Sequence, residues 1–274
     1  MKRKKAKKII RWIFPGVVIL LLLLTFWYEI PVTEHMEIEA EEIDSEVRIA
    51  LVTDLHSCYY GKNMNALVKR VDKENPDLVL MAGDIFDDDL KDTNARIFVE
   101  DMVKKYPCFY VTGNHEYWSE RVDEIKEYLK STGVSVLEGN YKTVEINGNS
   151  IDVCGVDDPT RLRRDAWRGQ LESACVDDGN YKILLSHRPE EVIEYAKYDY
   201  DLIVAGHAHG GQWRIPFTKK GYFAPNQGMF ATYVDGLYNL QNGSKMVVSR
   251  GLARESTPAP RFFNHPELII ITLK

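Results

Sequence analysis

Short, mostly apolar runs that end in a polar step recur along the chain at Val47–Val52, Leu78–Ala82, Cys108–Thr112, Lys182–Ser186 and Leu202–Ala205. Their length, their β-branched content and the Gly, Pro, Asn or Asp that bound them predict buried strands. Between the first three, Met64–Glu74 and Thr93–Lys105 carry apolar residues at helical spacing and close near a proline, so each predicts a helix. Strands alternating with helices pair in parallel, and ligands of such sheets gather at the carboxyl ends of the strands. After Gly133 the pattern changes to paired short runs, Val134–Leu137, Lys142–Ile146 and Ser150–Gly155, with Asn147-Gly148 marking a hairpin turn. Met229–Val234, Leu237–Asn239, Lys245–Ser249 and Leu268–Leu273 continue in that style. The pattern predicts an α/β domain built of two facing sheets with helices outside.

The chain ahead of Val47 is a different object. Residues 1–11 hold seven Lys or Arg and no acid, and residues 12–30 are almost wholly apolar up to Glu29. At about 1.5 Å per residue that stretch is long enough to cross a hydrocarbon core of roughly 30 Å. Eight acids and no Lys or Arg follow between Glu29 and Glu46, so the charge asymmetry predicts a cytoplasmic amino terminus. The expected organisation is a basic cytoplasmic tail at 1–11, a transmembrane anchor at 12–30, an acidic spacer at 31–46 and a catalytic domain at 47–274, outside the cell membrane. A cleaved secretory signal shares the basic start and apolar run. Against it, no small-residue cleavage site follows the leucines, and Phe26-Trp27-Tyr28 stands where an interfacial aromatic belt would sit.

Charge narrows the partners. Of 274 residues, 35 are Lys or Arg and 41 Asp or Glu; without the seven basic residues of the tail, 28 face 41, a net charge of −13. So acidic a body is a poor non-specific binder of nucleic acid, whose affinity comes largely from Lys and Arg. The four cysteines, Cys58, Cys108, Cys154 and Cys175, have no CxxC spacing, which excludes zinc-finger and dithiol redox readings. Cys108 and Cys154 are expected in the core, and Cys58 near His56. The sequence leaves the oligomeric state open.

The strand ends carry the chemistry: Asp54-Leu55-His56, Gly83-Asp84-Ile85-Phe86-Asp87, Gly113-Asn114-His115-Glu116, His187 and Gly206-His207-Ala208-His209. A thiol-free set of oxygen and imidazole ligands suits two divalent ions such as Mn, Fe or Zn. Asp84, central in the motif order, is the natural bridge between them. Paired ions about 3.5–4 Å apart would bind phosphoryl oxygens and bring the pKa of bound water towards about 7, so hydroxide serves as nucleophile without Ser or Cys. Gly83, Gly113 and Gly206 are expected to let the backbone turn after each strand. Arg161, Arg163 and Arg164 are candidates for a second phosphate, or a solvated loop; Trp213–Phe230 is a candidate substrate-facing loop.

The five motifs, in this order, resemble the calcineurin-like metallophosphoesterase superfamily from Val47 to the carboxyl terminus. The resemblance implies a four-layer α-β-β-α sandwich. It implies Asp54, His56 and His209 as ligands of one metal, Asn114, His187 and His207 of the other, and Asp84 between them. His115 is similar to the family's proton or hydrogen-bond donor to the leaving oxygen, with Glu116 or Asp87 as neighbouring carboxylates. Asp87 is expected to orient its neighbours; Asp88 and Asp89 read as a solvated continuation. His207 to Pro216, Ser249-Arg250-Gly251-Leu252 and Pro260-Arg261-Phe262-Phe263-Asn264 resemble a bacterial membrane-associated branch similar to UDP-2,3-diacylglucosamine hydrolases, from which Ala253 and the insert 254–257 depart. The implied activity is hydrolysis of a phosphodiester or pyrophosphate of a lipid-linked or cell-envelope substrate. A phosphomonoesterase or protein phosphatase, and a non-catalytic metal-binding scaffold, are the alternatives.

Overall fold

Ile49 and Leu51 enter one apolar layer while Ala50 and Val52 enter another, and all four are buried. The same two-residue alternation divides Leu78 and Leu80 from Val79 and Met81, and Leu202 and Val204 from Ile203. A strand with both faces buried must lie in a sheet covered on both sides. That is the arrangement in the computed structural model, which describes residues 15–16, 24–215, 218, 220–254 and 259–274.

The strands are β1 Val32–Ile38, β2 Val47–Val52, β3 Leu78–Ala82, β4 Cys108–Val111, β5 Ser135–Val136, β6 Asn140–Ile146, β7 Asn149–Gly155, β8 Tyr181–Leu185, β9 Leu202–Ala205, β10 Phe223–Ala224, β11 Gly228–Met229, β12 Gly236–Asn239, β13 Lys245–Val248 and β14 Glu267–Leu273. One sheet runs β1-β14-β2-β3-β4-β5 and the other β12-β13-β9-β8-β7-β6, six strands each, with β10-β11 as a separate hairpin. Both sheets are mixed. β2 to β5 are parallel and β14 is antiparallel to β2; β7, β8, β9 and β13 are parallel and β6 and β12 antiparallel to their neighbours.

The inner faces of the two sheets share one core, including Ile49, Leu80, Phe109, Ile183, Val204 and Ile271. Helices α1 Asn65–Glu74, α2 Thr93–Val103, α3 Asn114–Trp118 and α4 Val122–Thr132 follow in the first half of the chain. Leu67 and Val71 of α1, Phe98 and Met102 of α2, and Ile125 and Leu129 of α4 lie on single helical faces and cover the outside of the first sheet. Helix α5 Arg164–Ala174, through Trp167, Leu171 and Ala174, covers the second, and α6 is the short turn Val192–Tyr195. The order helix, sheet, sheet, helix is the four-layer arrangement.

Three sequence expectations change. The segment 31–46, expected as a spacer, contributes β1, which pairs in parallel with β14 from Val32↔Glu267 to Ile38↔Leu273. Met229–Val234 does not form a strand beyond Met229; Phe230 takes a left-handed backbone at φ 58° and ends the pairing. Helices α4 and α5 were not anticipated. The hairpin at Asn147-Gly148 is present, with both residues at positive φ and Ile146 opposite Asn149. The expected basic tail 1–11, most of the expected anchor 12–30 and residues 255–257 of the insert lie outside the described residues. Among the described residues, no helix is long and apolar enough to cross a membrane.

Candidate metal centre

The loops that leave β2 and β3 stay hydrogen-bonded beyond the sheet. Asp54 donates its N–H to the Gly83 carbonyl at 3.1 Å, and His56 donates to that of Asp84 at 2.9 Å. This brings the two motifs side by side. β4 delivers Asn114 and His115 next to them, and β8 and β9 deliver His187, His207 and His209 from the facing sheet. Asp54, His56, Asp84, His207 and His209 all have φ between 46° and 62°. Left-handed backbone costs a non-glycine residue of order 1–3 kcal/mol, and it persists where the surroundings over-determine it.

Two of the three motif glycines serve for space rather than for a turn. Only Gly83 has positive φ, at 85°; a Cβ on Gly113 would lie 2.2 Å from Asp84 Oδ1, and one on Gly206 1.8 Å from Thr53 Oγ1.

All seven expected ligands converge. Asp54, His56 and His209 form one group: Asp54 Oδ1 is 4.0 Å from His56 Nε2 and 3.7 Å from His209 Nε2. Asp84, His187 and His207 form another, with His187 Nε2 3.0 Å from Asp84 Oδ2. Asp84 Oδ2 is also 3.7 Å from His56 Nε2, so one carboxylate faces both groups. Asn114 lines the same cavity, of about 510 Å³, with Asp84, His115, His207 and His209.

The donor set fits metal ions on an observation independent of motif. His56 Nε2, Asn114 Oδ1, His207 Nδ1 and His209 Nδ1 are buried and lack any hydrogen-bond partner. Buried polar atoms are normally satisfied, and orphans such as His56 Nε2, 3.7 Å from Asp84, and the acceptor Asn114 Oδ1 in a cavity lined by Asp84 suit a cation. Their electrostatics divide: burial opposes charge on His56, but the Asp87 hydrogen bond and the charges of Asp84 and Asp54 raise it above the ordinary imidazole value. Burial opposes charge on Asp84, but the imidazoles of His187, His56 and His115 hold its carboxyl well below the usual range. Burial also opposes a charged His187, yet Asp84, then Asp54 and Asp158, raise it to about 10, which marks the spot between ring and carboxylate as one that favours positive charge. Burial, with His187 and Arg188 nearby, keeps His207 well below the ordinary imidazole value, and burial brings His209 down to about 3. Ligation needs a neutral ring, and of the four ligand imidazoles His207 and His209 are the two held in that form.

A second layer of contacts aims these groups. His56 Nδ1 lies 2.9 Å from Asp87 Oδ2, and Asp87 Oδ1 accepts the N–H groups of Asp89 and Leu90, so Asp87 orients its neighbours as expected. His187 donates Nδ1–H to the Ala82 carbonyl at 2.8 Å, which turns Nε2 inward. Glu116 is not the partner of His115. It accepts backbone N–H groups from Asp84, Ile85, Phe86 and Gly113 at 2.8–3.1 Å and fixes the loop after β3. Burial and the Asp84 charge push its carboxyl upward against those donors. The carboxylate beside His115 Nδ1 is Asp88, at 2.5 Å, with Asp87 at 3.6 Å.

Sequence reasoning missed Arg188. Its guanidinium pairs with both oxygens of Asp158, donates to Thr160 Oγ1 at 2.9 Å, and places Nη1 2.7 Å from His207 Nε2 on the cavity wall. Arginine only donates, so a neutral His207 carries its proton on Nδ1 here; ligation through Nδ1 would require the proton to move to Nε2 and the Arg188 contact to open. Its place directly after His187 was the available signal. The expected cluster does not reach the cavity: Arg164 pairs with Glu191, Arg161 faces Glu120, and Arg163 is exposed beside Asp165. Cys58 is buried in the core against the first sheet. The carboxyl-terminal motif is a clasp: Asn264 Nδ2 donates to the carbonyls of His209 and Gln212, and Arg261 to those of Ala253 and Arg250.

Residues 47–211 match the sequence profile of the calcineurin-like phosphoesterases, well over half the chain. The chain belongs to that family. Among its curated relatives is an uncharacterized metallophosphoesterase of Campylobacter jejuni, 32% identical over 253 residues, 89% of this chain and 63% of the relative. A zebrafish (Danio rerio) protein named "Transmembrane protein with metallophosphoesterase domain" is 27% identical over 89% of this chain and 57% of its own length. The phosphodiesterase YaeI of Escherichia coli is 29% identical over 60% of this chain and 59% of its own. The chain thus spans about six-tenths of the length of these relatives. In this calcineurin-like phosphoesterase, the five motif loops all lie inside or at the border of the matched region.

Proposed function

We propose that this calcineurin-like phosphoesterase is a metal-dependent phosphoric ester hydrolase that cleaves a phosphodiester or pyrophosphate bond in a lipid-linked or cell-envelope substrate, similar to UDP-2,3-diacylglucosamine hydrolases. The observation that carries the two-metal reading is Asp84, one buried carboxylate facing both ligand groups. Asp54, His56 and His209 would hold one ion, Asn114, His187 and His207 the second, with Asp84 shared. When bound, two divalent ions of the Mn, Fe or Zn kind supply positive charge to phosphoryl oxygens and acidify water.

The remaining steps belong to the chain's own groups. His115 lines the cavity with Nδ1 fixed on Asp88, which leaves Nε2 to donate a hydrogen bond or proton to the leaving oxygen. Arg188, braced by Asp158, offers a guanidinium to a non-bridging oxygen. The name of the Escherichia coli relative favours a diester over a monoester. The full chain, stripped by chelator and reloaded with Mn, Fe or Zn, is expected to regain hydrolysis and to prefer bis-p-nitrophenyl phosphate to p-nitrophenyl phosphate. Preference for the monoester would make it a phosphomonoesterase, and no metal-dependent hydrolysis of either would leave a scaffold.

The basic tail and the apolar run at 12–30 support a single-pass anchor with the catalytic domain outside the cytoplasm. The zebrafish relative's name agrees with a membrane association. Alkaline phosphatase fused after Ser45 is expected to be active in cells; an inactive fusion places the domain in the cytoplasm.

A further inference from the structure

The hairpin β10-β11 has two faces. Its turn, Pro225 and Asn226, lines the metal-centre cavity, while Phe223 and Met229 in its strands are half exposed. Phe230, next in the chain, is 56% exposed and contacts Tyr222; Tyr222 contacts Trp213, and Trp213 packs on Phe262 at 5.7 Å. Beside Phe262, Phe263 meets Tyr28, and His265 meets both Tyr28 and Trp27. Ion pairing of Glu29 with Arg254 and a hydrogen bond between His265 Nδ1 and the Ile30 carbonyl fasten the same junction. The exposed aromatic residues therefore extend from the hairpin whose turn lines the cavity, through Trp213 and Phe262, to Phe263, the residue after Phe262, which meets the end of the apolar amino-terminal run.

Isolated exposed apolar residues are ordinary, but a contiguous patch of this kind marks a contact surface. Where the patch ends decides the occupant. Residues 12–28 are apolar and aromatic and lead directly onto it, so a bilayer that receives this segment meets the patch as well. Tyr and Trp, each with an apolar body and a polar tip, suit the water–lipid boundary. We infer that the aromatic rim formed by Trp213, Tyr222, Phe223, Met229, Phe230 and Phe263 seats on the membrane interface and turns the cavity mouth towards the headgroups, so that the preferred substrates are phosphoesters of membrane-embedded amphiphiles. This deepens the proposed function and rests on its anchor.

The test uses the full chain in vesicles of phosphatidylethanolamine and phosphatidylglycerol. With Cys175→Ser as background, a fluorophore on Phe223→Cys or Phe230→Cys is expected to be quenched by lipids carrying a quencher near the headgroup. A fluorophore on Lys104→Cys, at the far end of α2, is not. In parallel, Phe223→Ser/Phe230→Ser is expected to act at the wild-type rate on soluble bis-p-nitrophenyl phosphate, and roughly tenfold more slowly on a phosphodiester lipid in the vesicles. Failure of the chain to float with vesicles would overturn the anchor and the rim together. Flotation without quenching, thiol cross-linking of the Phe230→Cys variant between copies in place of quenching, or equal rate loss on both substrates would overturn the rim alone and leave the phosphoesterase reading standing.

Discussion

Asp84→Ala is expected to lower metal-dependent hydrolysis by on the order of 10³ or more, since charge stabilisation by such ions contributes several kcal/mol and each 1.36 kcal/mol is tenfold. The side chain is fully buried, its Oδ2 faces His187 and His56, and its Oδ1 accepts the His115 N–H at 2.9 Å. Its loss removes a carboxylate that lies within 3.7 Å of an imidazole of each ligand group and frees the backbone that carries Asn114 and His115. Asp84→Asn separates these effects. The amide keeps the volume and an acceptor for the His115 N–H but lacks the charge, so it should fold as the parent and still lose metal and activity. Metal content per chain, circular dichroism and the hydrolysis rate read the three quantities independently. Full activity with bound metal in the Asn variant would refute a shared carboxylate bridge.

What the sequence discloses follows from where each residue's partner lies. β2 and β3 are buried on both faces, so their apolar runs match the observed bounds at Val47–Val52 and Leu78–Ala82. β1 hides because it is an edge strand: Glu34, His35 and Glu37 are exposed, and acidic residues on an edge resist further pairing. Its partner β14 is at the other end of the chain, a register no local pattern contains. α5 starts inside the basic cluster at Arg164 and so reads as loop, although Trp167, Leu171 and Ala174 hold the helical spacing.

The site divides the same way. Residues that would bind metal sit in short motifs at strand ends and are readable, and all seven converge. Residues that aim them work across the fold: Asp158 braces Arg188 from 30 positions away, and Asn264 holds the His209 carbonyl from 55. Asp88 and Glu116 lay within the motifs, but which one meets His115 depends on how the loop after β3 curls around the Glu116 carboxylate.

Gly206→Ala carries the second largest expected effect, on architecture. The added methyl would lie 1.8 Å from Thr53 Oγ1 and 2.3 Å from Asp54 Oδ2, far inside contact distance. The backbone cannot yield cheaply: the Gly206 N–H is tied to the His187 carbonyl, and the next N–H, that of His207, donates to both oxygens of Asp54 at 3.1 Å. Thr53 and Asp54 must therefore move, and Asp54 belongs to the first ligand group. Overpacking of this kind costs typically 1–3 kcal/mol, which at about 2–4 °C per kcal/mol in a domain of this size lowers Tm by roughly 2–12 °C. Because the displaced side chain belongs to one group and not the other, the variant is expected to lose metal chiefly from the site of Asp54, His56 and His209. Calorimetry and metal analysis on the same preparation check both parts. A variant with wild-type Tm and full metal content would show that the close approach of β9 to the β2 loop does not hold Asp54 in place.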